Sequence, residues 1–425
     1  MICTNKMRTI AVITSVNENE RQYVRNIYIL LSLIILVDPM LNAFISSTTI
    51  LRSLELMLLL GVIFYELLYL NNFKLFRYGK WISFWIILLG ICSISIVIRG
   101  QFGGLKDTVL SLISRYGALP YVLPFLIFPL PNEKYFKTIL NVFFYSSLLV
   151  VPLWIIEFFN GGLVREEYFG EAIGAYFPFF SAFLLVFFNK LGPLKKMITV
   201  IIFSIFFILM VLNARRNVIL SLSLYFLSAL FLQFLRSGGK RGEKMVKTLI
   251  ISVVSACFVI LNFPKLQEGL LSNVIERGFE DTRSQVEISL LADLASSPVS
   301  ETIFGRGMDG TYFNLAALQN LDLDSDERDR NVVETGYLNM VLKGGIVYVA
   351  IVMIILISAI VMAFRVKTKS FAGIGLILLI YIVALYTTAP ISYFSVPAIL
   401  FWFSVSVALQ GNVRSKLILY GETCR

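Results

Sequence analysis

Two adjacent arginines, Arg215 and Arg216, sit in the stretch Asn213-Ala214-Arg215-Arg216-Asn217, with long apolar runs on either side. Charges at the ends of membrane-length runs are expensive and often functional. A guanidinium is planar and permanently charged, and it binds phosphate through paired, charge-assisted hydrogen bonds. The competing reading is that both arginines snorkel to lipid headgroups. Arg283 lies in FEDTRSQVEISL, where Glu280 and Glu287 stand three and four residues away and offer helix-surface ion pairs instead. Arg306 stands between Gly305 and Gly307. Flanking glycines let a backbone approach a ligand closely, and they also serve any tight turn. Glu334 occupies VVETGYLNMVLKGGI, where an acidic stretch gives way to an apolar run. A carboxylate at the mouth of a span can orient a sugar hydroxyl or take its proton. The alternative is a helix cap in favourable contact with the helix dipole. Lys343 lies nine residues on and on a different face, and with Gly344 and Gly345 it marks a packing contact or a helix break.

Other chemistries have little to build on. The chain has no histidine, so no imidazole serves as base or metal ligand. Cys3, Cys92, Cys257 and Cys424 are far apart, and no pair has metal-ligand or redox spacing. The stretch LDLDSDERDR lacks the glycine and the distal glutamate of a calcium-binding EF-hand and reads as a solvated loop. Asp38, Glu55, Glu66 and Glu157 fall in or beside apolar runs, and their spacing does not argue for a proton relay. No cofactor or metal is expected.

The elements that must position these residues are membrane spans. Of 425 residues, 57% are hydrophobic and 15% charged, against roughly 45–50% and about 25% in soluble domains. This excludes a soluble globular protein, a disordered chain, a coiled coil and a nucleic-acid-binding domain. The net charge of +10 then reads as orientation, because basic residues collect in cytoplasmic loops. Runs long enough to span a bilayer fall near 26–45, 54–70, 81–98, 113–131, 138–158, 173–190, 196–213, 217–235, 247–263, 335–363, 371–389 and 391–410. The fourth contains Arg115, Pro120, Pro124 and Pro129 and reads as a short interfacial helix followed by a broken span. The expected fold is an all-α, polytopic integral membrane protein of about 12 transmembrane helices with one large periplasmic loop. Residues 1–263 hold spans one to nine behind an uncleaved cytoplasmic tail, 264–334 form the loop with short helices, and 335–425 hold the last three spans. With both ends inside, 23 lysines and arginines fall on the cytoplasmic side and 13 outside, six of them in the long loop. Residues 264–331 carry 13 of the 27 acidic residues. The two halves show no repeat of the kind transporters often carry, which argues mildly against a transporter.

In this order and on this side of the membrane, the motifs resemble the O-antigen polymerase and O-antigen ligase superfamily (Wzy type). The resemblance is carried by ARRNVIL, then Arg283, then FGRGMDGTYF, then ETGYLNMVLKGGI, over about 205–350; the first 200 residues match only in hydropathy. It implies a glycosyltransferase of the bacterial inner membrane, active at the periplasmic face in making O-antigen, capsule or exopolysaccharide. Donor and acceptor would both be polyprenyl-diphosphate-linked glycans, and a chain-length regulator is a plausible partner. By the same resemblance Arg215, Arg216 and Arg283 would bind the diphosphate. Glu334 would serve the acceptor hydroxyl, and Arg306 and Tyr337 would help form the sugar site. Ligases of the family usually carry a histidine where this chain has Glu334, which favours polymerase over ligase. A transporter of lipid-linked oligosaccharide is the reading from another class; it would need basic residues in a central cavity rather than at the outer face.

Overall fold

The computed structural model describes residues 18–36, 48–73, 78–100, 112, 117–159, 178–212, 216–237, 284–315, 329–333, 335–366, 368–387 and 391–421. In chain order the helices are α1 (18–36), α2 (Thr48–Asn72), α3 (Lys80–Ile98), α4 (Leu119–Ile127), α5 (Phe136–Phe159), α6 (Pro178–Val186), α7 (Pro193–Leu212), α8 (Arg216–Ser237), α9 (Ser284–Ser296), α10 (Val299–Phe304), α11 (Gly336–Arg365), α12 (Lys369–Thr387) and α13 (Val396–Gly421). The only strands among the described residues are β1 (Tyr312–Phe313) and β2 (Asp329–Arg330), an antiparallel pair with Tyr312 opposite Arg330. The protein is therefore mostly helical. Among the described residues three helices are long and apolar enough to cross a membrane, over Ser53–Asn72, Lys80–Ile98 and Gly336–Arg365.

α3 shows why such a sequence forms a span. Its 19 residues cover about 28 Å at 1.5 Å each, close to the hydrocarbon thickness. In hydrocarbon an unpaired peptide group costs several kcal/mol, so the run must satisfy its backbone internally. One face buries Ile82, Leu89, Ser93 and Ile96. The other exposes Trp81, Phe84, Ile87, Ile91, Ile94 and Ile98. α2 repeats the pattern, with Met57, Leu60, Phe64 and Leu67 exposed and Val62 and Tyr69 buried. Stripes apolar on both faces suit a helix with protein on one side and lipid on the other. Of the acidic residues expected in spans, Glu55 and Glu66 are buried in α2, and both Glu66 carboxylate oxygens lack a hydrogen-bond partner among the described residues.

Several expected spans shift. The first described helix starts at 18 rather than 26. Among its described residues, the proline-rich fourth run yields the nine-residue α4, with Pro120 near the start and Pro124 inside. Proline is tolerated in a first turn, where its missing N–H costs nothing, but not in a long uninterrupted ladder. The sixth run yields α6, followed by a 3-10 turn over Phe188–Lys190. The ninth, 247–263, lies outside the described residues, as does most of the acidic stretch.

α11 packs against α3, α10, α12 and α13, and α8 packs against α6, α7 and α12. The core is aromatic: Phe143 of α5 meets Tyr28 of α1, Phe180 and Phe183 of α6 and Phe403 of α13 at centroid distances of 5.1–5.9 Å. Beside it runs a buried polar chain. The Tyr28 hydroxyl donates to Asn132 Oδ1 at 2.8 Å, and Asn132 Nδ2 donates to the Ile127 carbonyl and to Ser406 Oγ, both at 2.8 Å. Gln410 Nε2 donates to the Leu130 carbonyl at 2.6 Å and to Ser406 Oγ at 3.0 Å. Within this chain Tyr28, Asn132, Ser406 and Gln410 thus partner one another, as burial demands.

Candidate functional site

The glycine-rich segment at 305–310 is a turn locked between two helices long and apolar enough to cross a membrane, α3 and α11. α10 ends at Phe304, and Gly305 takes φ 75° and ψ −178°, a conformation essentially confined to glycine. The chain then presents three amide groups to two helices. Arg306 N–H donates to the Leu342 carbonyl at 2.8 Å and Gly307 N–H to the Lys343 carbonyl at 3.0 Å, both on α11; Met308 N–H donates to the Ile96 carbonyl of α3 at 3.0 Å. α11 breaks at that point, where Gly345 has φ 72° and ψ −179°. A Cβ on Gly305 would stand 2.4 Å from the Lys343 oxygen, and one on Gly345 would stand 2.1 Å from the Ile303 oxygen. The two glycines therefore pass backbone to backbone. The glycine pair expected to mark a packing contact or a break does both. The glycines beside Arg306 admit two helix backbones.

Two cations hold the turn from outside. Arg99, just past α3, donates Nη1 to the Gly305 carbonyl and Nη2 to the Phe304 carbonyl, each at 2.6 Å. A cation at the carbonyl end of a helix is favourable, and here it closes α10. Lys343, buried in α11, donates Nζ to the Gly310 carbonyl at 2.9 Å. Neither role was read from the sequence. The signal for Arg99 was an arginine directly after an apolar run of membrane-crossing length.

Arg306 is the strut of the turn. Nε donates to Glu301 at 2.7 Å, Nη1 to Asp293 and to the Thr311 carbonyl at 2.5 Å, and Nη2 to Ser297 Oγ at 2.5 Å. Its charge is answered by two carboxylates, from α9 and α10. Arg306→Ala leaves both without a counter-ion. They are partly exposed, with side chains 20% and 37% accessible. The expected loss is therefore about 2–3 kcal/mol rather than the about 3–5 kcal/mol of a fully buried pair. Thermal unfolding of the detergent-solubilised protein measures it; an unchanged melting temperature would remove the strut role.

A small core joins this turn to the start of α11. Leu290 and Leu294 of α9 pack with Tyr312, Val333, Leu338 and Leu342, and Tyr337 lies against them. Val333 and Thr335, the neighbours of position 334, are buried, and the Thr335 hydroxyl donates to the Glu287 carboxylate. Tyr337 stacks on Tyr386 of α12, with centroids 6.0 Å apart and planes at 13°. Of the residues singled out in the sequence, Arg306 and Tyr337 both lie beside the first two turns of α11, Arg306 through its backbone bond to Leu342 and Tyr337 as the helix's second residue. Arg216 is on another element as the first residue of α8, with no acidic residue in that helix's first turn. α8 packs on α12, the helix that carries Tyr386. Arg215, Arg283 and Glu334 lie outside the described residues.

Among the described residues no group of three acidic, histidine or cysteine side chains is placed to hold a metal ion. Neither a protein-family model nor a curated protein matches the chain.

Proposed function

We propose that the chain is a polysaccharide polymerase, a glycosyltransferase that joins polyprenyl-diphosphate-linked repeat units at the periplasmic face of a bacterial inner membrane. The observation that carries this reading is the locked turn: the G-x-G segment at 305–307 is keyed into the break at Gly345. It thereby fixes the first turns of α11, whose second residue is Tyr337; in sequence Glu334 comes two residues before the helix. A lipid-borne substrate presents its diphosphate and first sugar at that depth. The full topology in this reading has about 12 spans, both termini inside and a large periplasmic loop. A chain-length regulator is a partner consistent with it.

The reaction is a substitution at the anomeric carbon of the donor. A hydroxyl oxygen of the acceptor glycan bonds to that carbon, and the carbon–oxygen bond to the diphosphate breaks. Polyprenyl diphosphate leaves with the bonding electrons, and the hydroxyl proton passes to Glu334. Arg215, Arg216 and Arg283 answer the negative charge that grows on the leaving group, the kind of electrostatic stabilisation on which transfer reactions most depend. Arg306 and the 305–310 turn shape the sugar site, and Tyr337 offers it an aromatic face.

A gel of surface polysaccharide tests the reading. Deleting the gene should remove the polymer ladder and leave a single repeat unit on its usual acceptor, and the wild-type gene should restore the ladder. Long polymer accumulating on the carrier lipid would mean a ligase, and repeat units trapped on the cytoplasmic side would mean a flippase.

A further inference from the structure

The segment from α9 to α10 turns its charges toward the protein, half-buried, while much of its outward surface is apolar. Ile288, Leu291 and Val299 are 57%, 54% and 73% exposed, Phe304 is 54% exposed, and Ile303, Ala292 and Ala295 are exposed with them. Positions 288, 291, 292 and 295 have the spacing of one helix face. The three charged residues between 286 and 304 are half-buried and turned onto the protein, and the other exposed residues of the segment, Ser296, Pro298 and Ser300, are uncharged. Glu287 accepts from Thr335, and Asp293 and Glu301 accept from Arg306. A helix lying in water shows the opposite arrangement, and a contiguous apolar surface of this kind marks a contact with a partner or a membrane.

Continuity identifies what covers it. Arg99 pins the Phe304 and Gly305 carbonyls to the end of α3. Its neighbour Ile98 is 68% exposed and ends the apolar stripe of Ile87, Ile91 and Ile94 along a helix of membrane-crossing length. On the other side Gly345 lies against the Ile303 backbone, and the residue after it, Ile346, is 54% exposed. The outward face of 288–304 thus runs on from the outward faces of two spanning helices.

We propose that Ser284–Phe304 is a membrane-surface platform, its apolar face set into the acyl–headgroup boundary of the leaflet where α3 ends. Interfacial helices bury such a face roughly 5–10 Å deep. In this one the polar face is turned onto the protein through Arg306. The inference needs only that α3 and α11 cross a bilayer; it does not depend on the glycan reading. With that reading it explains how the 305–310 turn is held at headgroup depth.

The experiment uses the full chain with its four cysteines replaced by serine. Single cysteines are placed at Ile288, Leu291 or Val299, exposed positions where the change removes no core contact, and at Asp329 on the exposed strand β2. Each protein carries an environment-sensitive fluorophore and is reconstituted in nanodiscs of phosphatidylethanolamine and phosphatidylglycerol. Brominated lipids should quench the labels at 288, 291 and 299 several-fold more than the label at 329, and aqueous iodide should show the reverse order. Iodide quenching at 288, 291 and 299 equal to that at 329 would overturn the platform. Shielding from both quenchers, in discs shown by mass to hold two copies, would also overturn it and assign the face to a second copy.

Discussion

Arg216→Ala should lower polymer formation by roughly 30-fold to several thousand-fold, the effect of losing about 2–5 kcal/mol of a desolvated, paired charge. The argument rests on where α8 starts. Arg216 is its first residue, and the sequence before it adds Arg215. A helix N-terminus carries partial positive charge and unpaired N–H groups, so a cation there is unfavourable by about 0.3–1 kcal/mol unless an anion is present. No acidic residue in the first turn supplies one. A diphosphate would satisfy both the guanidinium and the helix end. This separates function from folding: Arg216→Ala should leave the melting temperature unchanged or slightly raised while polymer is lost. Arg216→Lys should restore only part of the activity, because an ammonium lacks the planar fork. Wild-type polymer length in the alanine strain would end the assignment, and so would a large fall in melting temperature accompanying the loss.

Gly345→Ala should destabilise the folded protein by about 2–6 kcal/mol, combining the cost of a glycine-only conformation with that of overpacking. The new methyl would meet the Ile303 oxygen at 2.1 Å and the Phe304 nitrogen at 2.5 Å. Both are backbone atoms of α10, so no side chain can swing aside. Gly305→Ala should act in the same way from the opposite partner, against Lys343, Gly344 and Gly345. Gly79→Ala is the control, since a Cβ there meets nothing within 4 Å and φ is −60°. It should change stability by less than about 0.5 kcal/mol. Thermal unfolding of the solubilised variants checks all three; a Gly345→Ala protein as stable as the Gly79→Ala protein would mean that the turn is not locked.

Much of the helical frame was legible because each span is a run of apolar residues long enough to cover hydrocarbon, a property of neighbours in sequence. The break in α11 was legible in Gly344-Gly345 for the same local reason. The partners across the fold were not. Three glycines in 305–310 announce that something comes close, but only the fold shows that Leu342, Lys343 and Ile96 do. Glu287 comes four residues after Arg283 in sequence, a local spacing, whereas its described partner Thr335 is 48 residues away and no spacing announces it. The glycines beside Arg306 are local and announce a close approach, whereas Asp293 lies 13 residues back and reaches Arg306 only when α9 and α10 fold against each other. Asn132 gave no signal, since its partners Tyr28 and Ser406 come from opposite ends of the described chain.

That last contact has a consequence for how the protein is made. Ser406 follows Asn132 by 274 residues, which at ordinary rates of synthesis is on the order of 15–55 s of translation. Through that interval the Leu130 carbonyl, the Asn132 side-chain amide and the Glu133 N–H lack their partners on α13, Gln410 and Ser406, which have not yet left the ribosome. Asn132 can meet Tyr28 and Ile127 before then, but this polar chain is completed only when α13 arrives.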